Sequence, residues 1–200
     1  MPNRGYFIVF EGVDGSGKST QIELLSEKLR KAGVDHIIER EPSSGAIGRL
    51  IRQYAEAGER YMAAETEALL FNADRFEHAR RIETYLNEGI TIICDRFFHS
   101  TLAYQGGSGV DLSWLKSLQR FTLKPDLVIL LDIDPDASLI RVSGRSLTVF
   151  ENNIYLRKVR KLYLQFAEAG EMIRVDTNRT VDEVESDVRR LVSDLMKVDL

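Results

Sequence analysis

The sequence has few of the features that mark secreted, membrane or nucleic-acid-binding proteins. Its one cysteine, Cys94, excludes an intramolecular disulfide, lies in an apolar run typical of a buried thiol, and is consistent with a reducing compartment. No apolar run approaches the roughly 20 residues that a membrane helix requires, and residues 1–5 lack the pattern of a signal peptide. We therefore expect a soluble, cytoplasmic protein without a membrane partner.

The chain also has fewer basic than acidic residues. The 27 lysines and arginines are outnumbered by 31 acidic residues, which gives a net charge of −4. A general nucleic-acid binder needs a cationic surface to displace counterions, so we expect no nucleic-acid partner. No repeat and no long linker divides the chain, and we expect one domain over residues 1–200.

Short apolar runs alternate with segments of helical periodicity. The apolar runs are Tyr6–Phe10, Val34–Glu39, Ile90–Cys94, Leu127–Leu131 and Met172–Val175. The helical patterns are Lys18–Ala32, Glu65–Asn87, Asp136–Val142, Ile154–Ala169 and Val181–Met196. Four of the runs are nearly continuous in apolar residues, as strands buried on both faces of a parallel sheet are. The alternation predicts an α/β fold, a five-stranded parallel sheet with helices on both faces, and ligands bind beyond the carboxyl ends of such strands.

Two local patterns add detail to this fold. Thr180 and Glu183 have the spacing of a capping box at the start of the last helix. The glycine-rich segment 106–109 is predicted to be a flexible turn within the domain.

The strongest motif follows the first predicted strand. Residues 12–19 read Gly-Val-Asp-Gly-Ser-Gly-Lys-Ser, which matches G-x-x-x-x-G-K-[ST] between a strand and a helix and predicts a P-loop NTPase fold. The glycines let successive N–H groups converge on phosphate oxygens, Lys18 reaches the β- and γ-phosphates of a nucleoside triphosphate, and Ser19 supplies a hydroxyl for Mg²⁺. The predicted triphosphate site, which the resemblance described below assigns to ATP, consists of Gly12, Val13, Asp14, Gly15, Ser16, Gly17, Lys18, Ser19 and Thr20.

The loop motif does not identify the reaction. A regulatory GTPase would carry Asn-Lys-x-Asp after a late strand, whereas residues 176–179 read Asp-Thr-Asn-Arg, which argues against that class. Phe71 and Arg75, four residues apart on the predicted central helix, project from one face and can hold a pyrimidine base by stacking and hydrogen bonding. Taken alone, this pair is better read as a core phenylalanine beside a solvated arginine.

Further motifs follow the P-loop in a fixed order. They are Arg-Glu-Pro at 40–42, Leu-Leu-Phe-x-Ala-Asp-Arg at 69–75 and Asp-Arg-Phe-x-x-Ser-Thr-x-Ala-Tyr-Gln at 95–105. With them the chain resembles the thymidylate kinase (dTMP kinase) family over essentially its whole length. The resemblance implies transfer of the ATP γ-phosphate to dTMP, with Mg²⁺ as cofactor and a homodimer as the assembly.

The resemblance also assigns roles to individual residues. Arg40 and Arg96 would bind the 5′-phosphate of dTMP. Phe71 would stack on thymine, and Arg75 would donate to its O4. Ser100 and Thr101 would line the base, Tyr104 would crowd the ribose 2′ position and Asp14 would contact the 3′-hydroxyl. Asp95, with Ser19, would belong to the Mg²⁺ site, and Asp95 could equally cap the next helix. Arg40 could instead form a structural ion pair with Glu41.

A mobile lid is expected at about residues 139–151. The resemblance implies that an arginine from the P-loop or from this lid stabilises the transition state. The P-loop of this chain contains no arginine, so Arg141 and Arg145 would fill that role, with Glu151 assisting near Mg²⁺ or the 3′-hydroxyl. Many relatives carry Asp-Arg before the Phe150-Glu151 pair, but this chain has Thr148-Val149. The alternative is that both arginines are ordinary surface residues.

Two other functions stay open at this point. The protein could phosphorylate a different nucleoside monophosphate or a deoxynucleoside, or it could be a nucleotide-binding switch that uses hydrolysis to change a partner contact. The resemblance also implies that the loop 176–179 lies beside the adenine of ATP. His36, His78 and His99 form no metal spacing, and we assign them no catalytic role.

Overall fold

The computed structural model describes residues 4–57, 60–142 and 153–200. Its centre is a five-stranded sheet in which all neighbouring strands are parallel, in the order β2-β3-β1-β4-β5. The strands are β1 Phe7–Glu11, β2 His36–Arg40, β3 Thr91–Asp95, β4 Leu127–Asp132 and β5 Ile173–Asp176. The prediction of five parallel strands is confirmed, and the predicted ends lie within two residues of the observed ones.

Eight helices lie in the described part of the chain. They are α1 Lys18–Lys31, α2 Ala46–Ala55, α3 Ala64–Asn87, α4 Phe98–Gly107, α5 Leu112–Leu118, α6 Pro135–Val142, α7 Asn153–Glu168 and α8 Val181–Met196. The five predicted helices are present, and the capping box of Thr180 and Glu183 starts α8. Helices α2, α4 and α5 were not predicted.

The helices cover both faces of the sheet because side chains alternate along each strand. On β1, Phe7 and Val9 enter one hydrophobic cluster, whereas Ile8 and Phe10 enter the other. The first cluster includes side chains of α2–α5 and α7, and the second includes those of α1 and α8. The central strand is therefore buried at every position, and so are β3 and β4.

The expectation of full burial is wrong for β5. This strand pairs only with β4 and forms an edge of the sheet, so only Val175 among its residues is buried. The opposite edge strand, β2, is likewise only partly buried. The apolar residues of Met172–Val175 resemble a central strand in composition, but the sheet order places them at a margin.

The prediction of a flexible turn at 106–109 is wrong in its first half. Gly106 and Gly107 are the last residues of α4, and only Ser108 and Gly109 follow the helix. A Cβ on Gly106 would lie 2.7 Å from Leu112 Cδ2, and one on Gly107 would lie 3.2 Å from Val159 Cγ2. These glycines therefore allow α5 and α7 to approach α4 closely.

Within the described residues, no helix is both long enough and apolar enough to cross a membrane.

Candidate active site

The loop between β1 and α1 has the backbone of a phosphate cradle. Gly12, Gly15 and Gly17 have φ angles of +140°, +75° and +95°, which residues with a Cβ rarely adopt. A Cβ on Gly12 would also lie 2.5 Å from the carbonyl oxygen of Leu131 on β4. No side chain caps the start of α1, which leaves its first backbone N–H groups for an anionic ligand.

Lys18 is held behind this loop. Its side chain is buried, and its Nζ donates to the carbonyl oxygens of Gly12 at 3.0 Å and Val13 at 3.1 Å. Burial, together with the nearby charge of Arg96, lowers the pKa of Lys18 to about 8. The ammonium group is thus poorly solvated, and a phosphate would supply the negative charge that it lacks.

A cleft opens over the loop, and we call it the donor cleft. It is lined by the loop residues 14–21 and by Arg40, Glu56, Asp95, Arg96, Arg141, Thr177, Arg179, Val181 and Val184. Arg141 forms part of its wall, donating from Nη2 to the Thr177 carbonyl oxygen at 3.0 Å and from Nη1 to the Gly15 carbonyl oxygen at 3.4 Å. Arg141 is exposed but lines this cleft, which favours a role in the site over that of an ordinary surface arginine. Thr177 and Arg179 belong to the loop that the resemblance placed beside adenine.

A smaller cavity of about 250 Å³, the acceptor pocket, adjoins the donor cleft. Every residue predicted to contact dTMP lines it, namely Asp14, Arg40, Phe71, Arg75, Arg96, Ser100, Thr101 and Tyr104. These side chains come from four parts of the chain: the P-loop, the end of β2, α3 and the segment from β3 into α4. Asp14, Arg40 and Arg96 lie at or just beyond the carboxyl ends of β1, β2 and β3, where the parallel sheet predicts a ligand site.

Arg75 forms the floor of this pocket and is only 1% exposed, so it is not a solvated arginine. Its Nε and Nη2 form an ion pair with Glu41 Oε2 at 2.9 and 2.8 Å, and Nη2 also donates to Thr101 Oγ1 at 2.9 Å. By contrast, Nη1 has only long contacts of 3.4 Å to Asn72 Oδ1 and Gln119 Oε1. Nη1 is therefore the nitrogen that can hydrogen-bond to a ligand with the least loss of existing hydrogen bonds.

Arg96 stands between the pocket and the P-loop. Its Nη2 donates to Asp14 Oδ1 at 2.8 Å, and its Nη1 donates to Ser100 Oγ at 3.1 Å. The guanidinium also lies over the ring of Tyr104, 5.2 Å from its centroid. Arg96 has a φ of +73°, a strained backbone conformation for a residue with a Cβ. Strain of this kind persists where the surrounding structure holds a side chain in one position.

The structure adds Glu11, to which the sequence analysis gave no role. Its carboxylate is fully buried at the start of α4, where Oε1 accepts from the backbone N–H groups of Phe97 at 2.9 Å and Ser100 at 3.2 Å. The other oxygen accepts from Ser100 Oγ at 2.6 Å and from Tyr163 OH at 2.8 Å. Glu11 therefore fixes the N-terminus of α4 and the hydroxyl that binds Arg96. The sequence shows that Glu11 directly precedes the P-loop. It does not show the role of Glu11, because its partners Phe97, Ser100 and Tyr163 are distant in the chain.

The donor cleft and the acceptor pocket share a wall. Asp14, Arg40, Glu56 and Arg96 line both. The side chain of Arg40 forms no hydrogen bond or ion pair with another described residue, and Glu41 pairs with Arg75 and His78 instead of Arg40. The alternative of an Arg40–Glu41 ion pair is therefore wrong. Two cations, Arg40 and Arg96, face the place where the two sites meet.

A divalent cation would find oxygen ligands in the donor cleft. Asp95 is buried, and its Oδ1 has no hydrogen-bond partner, while Ser19 is exposed in the same cleft. In the described ranges no three His, Cys, Asp or Glu side chains form a metal cluster. The unpaired carboxylate oxygen of Asp95 and the hydroxyl of Ser19 fit Mg²⁺, which keeps waters and phosphate oxygens in its shell and uses few protein ligands. Asp95 does not cap α4, because the N-cap position is Phe97.

The predicted lid lies largely outside the described residues. Of its arginines, Arg141 is described, whereas Arg145 and Glu151 fall in the range 143–152 that the structure does not describe. Thr148 and Val149 fall there as well.

The parallel sheet and the phosphate-binding loop that follows its central strand, β1, place this protein in the P-loop NTPase class. Within that class, the chain belongs to the thymidylate kinase family, whose family model, described as "Thymidylate kinase", matches residues 10–188. The family predicted from the motifs is thereby confirmed, as is the fold class.

Relatives similar to this chain come from archaea, bacteria and a fungus. The chain is 43% identical over 199 residues to a "Probable thymidylate kinase" of Thermococcus gammatolerans, covering 94% of this chain and 96% of that protein. It is 40% identical to a "Thymidylate kinase" of Carboxydothermus hydrogenoformans, covering 90% and 93%. The solved structure of the thymidylate kinase from Candida albicans superposes with a TM-score of 0.83 at 29% identity, covering 96% of this chain and 92% of that one.

Proposed function

We propose that the protein transfers the γ-phosphoryl group of ATP to dTMP, giving dTDP and ADP for dTTP synthesis. The observation that carries the proposal is the wall that the donor cleft and the acceptor pocket share at Asp14, Arg40 and Arg96. Two anionic ligands that meet at such a wall repel each other unless cations stand between them. A phosphoryl transfer enzyme needs this arrangement, because its catalysis is mostly positioning and charge stabilisation.

In the donor cleft, the loop residues 12–20 bind the triphosphate of ATP through their backbone N–H groups and the ammonium of Lys18. The uncapped start of α1 supports the assignment. The loop residues after β5, including Thr177 and Arg179, contact the adenosine side. Arg141 bonds to carbonyl oxygens on both sides of the cleft, and its exposed guanidinium is within reach of the triphosphate.

In the acceptor pocket, thymine stacks on Phe71 and accepts at O4 from Nη1 of Arg75. Cytosine presents an amino group at that position, which would leave a buried donor unpaired at a cost of about 1–3 kcal/mol or more. Tyr104, buried beside Arg96, occupies the space of a ribose 2′-hydroxyl, and Asp14 binds the 3′-hydroxyl. Together these contacts select a pyrimidine deoxynucleotide.

Transfer then proceeds by direct attack. An oxygen of the dTMP 5′-phosphate forms a bond to the γ-phosphorus while the bond from that phosphorus to the β–γ bridging oxygen breaks, and the bridging oxygen leaves with ADP. Arg40 and Arg96 offset the repulsion between the two phosphates, and Lys18 and Arg141 stabilise the charge that develops on the donor. Arg145 of the predicted lid remains a further candidate for this role.

We include Mg²⁺ in this proposal, held by Ser19 and, directly or through water, by Asp95. The unsatisfied buried oxygen of Asp95 supports the assignment. Bound there, the ion would neutralise negative charge on the β- and γ-phosphates. A location in the cytoplasm and the absence of a nucleic-acid partner remain predictions from composition.

We also propose a homodimer. Helix α3 exposes Leu69 at 51% and Phe76 at 39% on the face away from the acceptor pocket, and Leu50 of α2 is 46% exposed. Apolar side chains exposed on adjacent helices are typical of a surface that another chain covers. Sedimentation equilibrium of the wild-type protein and of a Leu69→Glu, Phe76→Glu double variant tests this. A dimer that the variant converts to a monomer supports the proposal, and a monomeric wild type contradicts it.

A panel of acceptors tests the reaction itself. Release of ADP is measured with dTMP, dUMP, CMP, AMP and thymidine at equal concentrations, and with no acceptor. The proposal expects dTMP to have the highest kcat/KM. Preference for CMP or thymidine would assign a different small-molecule kinase, and rapid ATP turnover without an acceptor would favour a nucleotide switch.

A further inference from the structure

His78 lies on α3, one helical turn beyond Arg75, and lines neither the donor cleft nor the acceptor pocket. Its side chain is completely buried between two glutamates of the β2 end of the sheet. Nε2 lies 3.1 Å from Glu39 Oε2, and Nδ1 lies 3.3 Å from Glu41 Oε1. Both ring nitrogens therefore face carboxylate oxygens.

This geometry favours a charged imidazole. An ionised carboxylate only accepts hydrogen bonds, and a neutral imidazole donates from one nitrogen only, so the two contacts are satisfied together by the doubly protonated ring. Burial disfavours the charge, but the hydrogen bonds to Glu39 and Glu41 outweigh it and raise the pKa of His78 to about 9. His78 is thus a cation at neutral pH.

The charged groups around His78 form a continuous chain. Glu41 uses Oε1 for His78 and Oε2 for Arg75, and Glu39 also accepts from Arg81 at 3.1 and 3.2 Å. From β3, the buried thiol of Cys94 donates to the Arg96 carbonyl oxygen at 3.1 Å, and burial raises its pKa, so it stays neutral. The sequence of contacts from the protein edge to the pocket is Arg81, Glu39, His78, Glu41, Arg75.

We propose that His78 is a positioning residue for the acceptor base, because it fixes the carboxylate of Glu41 and thereby the orientation of the Arg75 guanidinium at the pocket floor. The inference rests on the proposed binding of dTMP in the acceptor pocket. Glu41 is 3% exposed, and without His78 its Oε1 would lose the hydrogen-bond donor that it has among the described residues, so the carboxylate would be drawn towards Arg75. Such a turn would rotate the guanidinium, whose Nη1 is held only by contacts of 3.4 Å.

Steady-state kinetics of His78→Gln tests the proposal. Glutamine is neutral and cannot donate to both carboxylates in the geometry of the ring, so we expect the KM for dTMP to rise about tenfold. The KM for ATP should stay within about twofold, because the P-loop is unchanged. The control is His36→Gln on β2, where the imidazole contacts Ser26 Oγ and the Val34 carbonyl oxygen and no residue of the pocket. Its KM values should equal those of the wild type.

A parallel rise in both KM values, or no change in the KM for dTMP, would overturn the positioning role. Arg75→Lys separates this failure from that of the proposed site. If Arg75→Lys also leaves the KM for dTMP unchanged, the pocket assignment is wrong. If Arg75→Lys raises that KM and His78→Gln does not, only the positioning role is wrong.

A second measurement does not depend on the stability of His78→Gln. The chain has three histidines, so ¹⁵N spectra of the imidazole groups in the wild-type protein are simple, and His36→Gln and His99→Gln assign the remaining ring by elimination. We expect both nitrogens of His78 to show imidazolium shifts at neutral pH and to keep them until about pH 9. A neutral tautomer at neutral pH would overturn the proposal.

Discussion

Arg96 Nη2 donates to Asp14 Oδ1 over 2.8 Å, and this ion pair links the end of β3 to the P-loop at the wall shared by the two ligand sites. Arg96 reaches Ser100 with its other terminal nitrogen, so its forked guanidinium serves two partners at once. A single ammonium group has neither the planarity nor the span for these contacts.

Arg96→Lys should therefore lower kcat by about a hundredfold, the loss typical of removing one preorganised charge donor. The lysine keeps the charge but cannot bond Asp14 and Ser100 together while it faces the phosphates. Initial-rate kinetics at saturating ATP and dTMP measures the effect. Arg80→Lys on the exposed face of α3 is the control, and a kcat of Arg96→Lys within threefold of it (about 0.7 kcal/mol) would remove Arg96 from the reaction.

The lowered pKa of Lys18 predicts proton uptake when ATP binds. Lys18 has a folded pKa of about 8 against 10.5 when exposed, so at about pH 9 it is partly neutral before ATP binds, and the phosphates favour its protonated form. Titration calorimetry in two buffers of different ionisation enthalpy should show uptake at about pH 9 and none from this residue near pH 6.5. In Lys18→Arg the uptake should vanish, because the guanidinium keeps its proton.

The same shift affects folding in a defined direction. Between about pH 8 and pH 10.5 the unfolded chain binds a proton at Lys18 that the folded chain has released, so the contribution of Lys18 to stability rises with pH in that window.

Glu11→Gln should destabilise the fold and weaken the site together. The amide keeps one acceptor for the start of α4, but it cannot accept from both Ser100 Oγ and Tyr163 OH, which we expect to cost about 1–3 kcal/mol of unfolding free energy. Reorientation of the Ser100 hydroxyl should also loosen Arg96 and lower kcat. Urea unfolding and kinetics are compared with Glu23→Gln on the exposed side of α1. Unfolding free energies equal in the two variants would show that Glu11 does not fix α4.

Phe71→Ala should weaken dTMP binding more than ATP binding. Loss of a stacked aromatic ring typically costs about 1–3 kcal/mol, so we expect the Kd for dTMP to rise about tenfold or more while the Kd for an ATP analogue stays constant. The control is Phe121→Ala, because Phe121 is 79% exposed and lies outside both sites. Equal losses for both nucleotides would place thymine elsewhere.

Local sequence patterns predicted the parts of the fold that depend on local chemistry. Apolar runs identified all five strands, and the spacing of Thr180 and Glu183 identified the start of α8. Helix α4 escaped prediction because it contains two glycines and is held at its start by Glu11, a residue of another strand. Its glycines resembled a turn, but their small size serves packing against α5 and α7.

The site was predictable as a set of residues but not as a network of contacts. The motifs contain all the residues that were predicted to contact dTMP, and all of these residues line the acceptor pocket. They did not show that Glu41 joins Arg75 to His78, since that contact depends on how β2 packs against α3. They also missed Arg52, which lines the pocket from the unpredicted helix α2.

A crystal structure with dTMP and a non-hydrolysable ATP analogue bound together tests the central claim most directly. We expect thymine against Phe71 with O4 at Arg75, the triphosphate on the P-loop, and both phosphate groups facing each other across Arg40 and Arg96. A dTMP molecule bound outside the acceptor pocket, with that guanidinium pair facing solvent, would contradict the account.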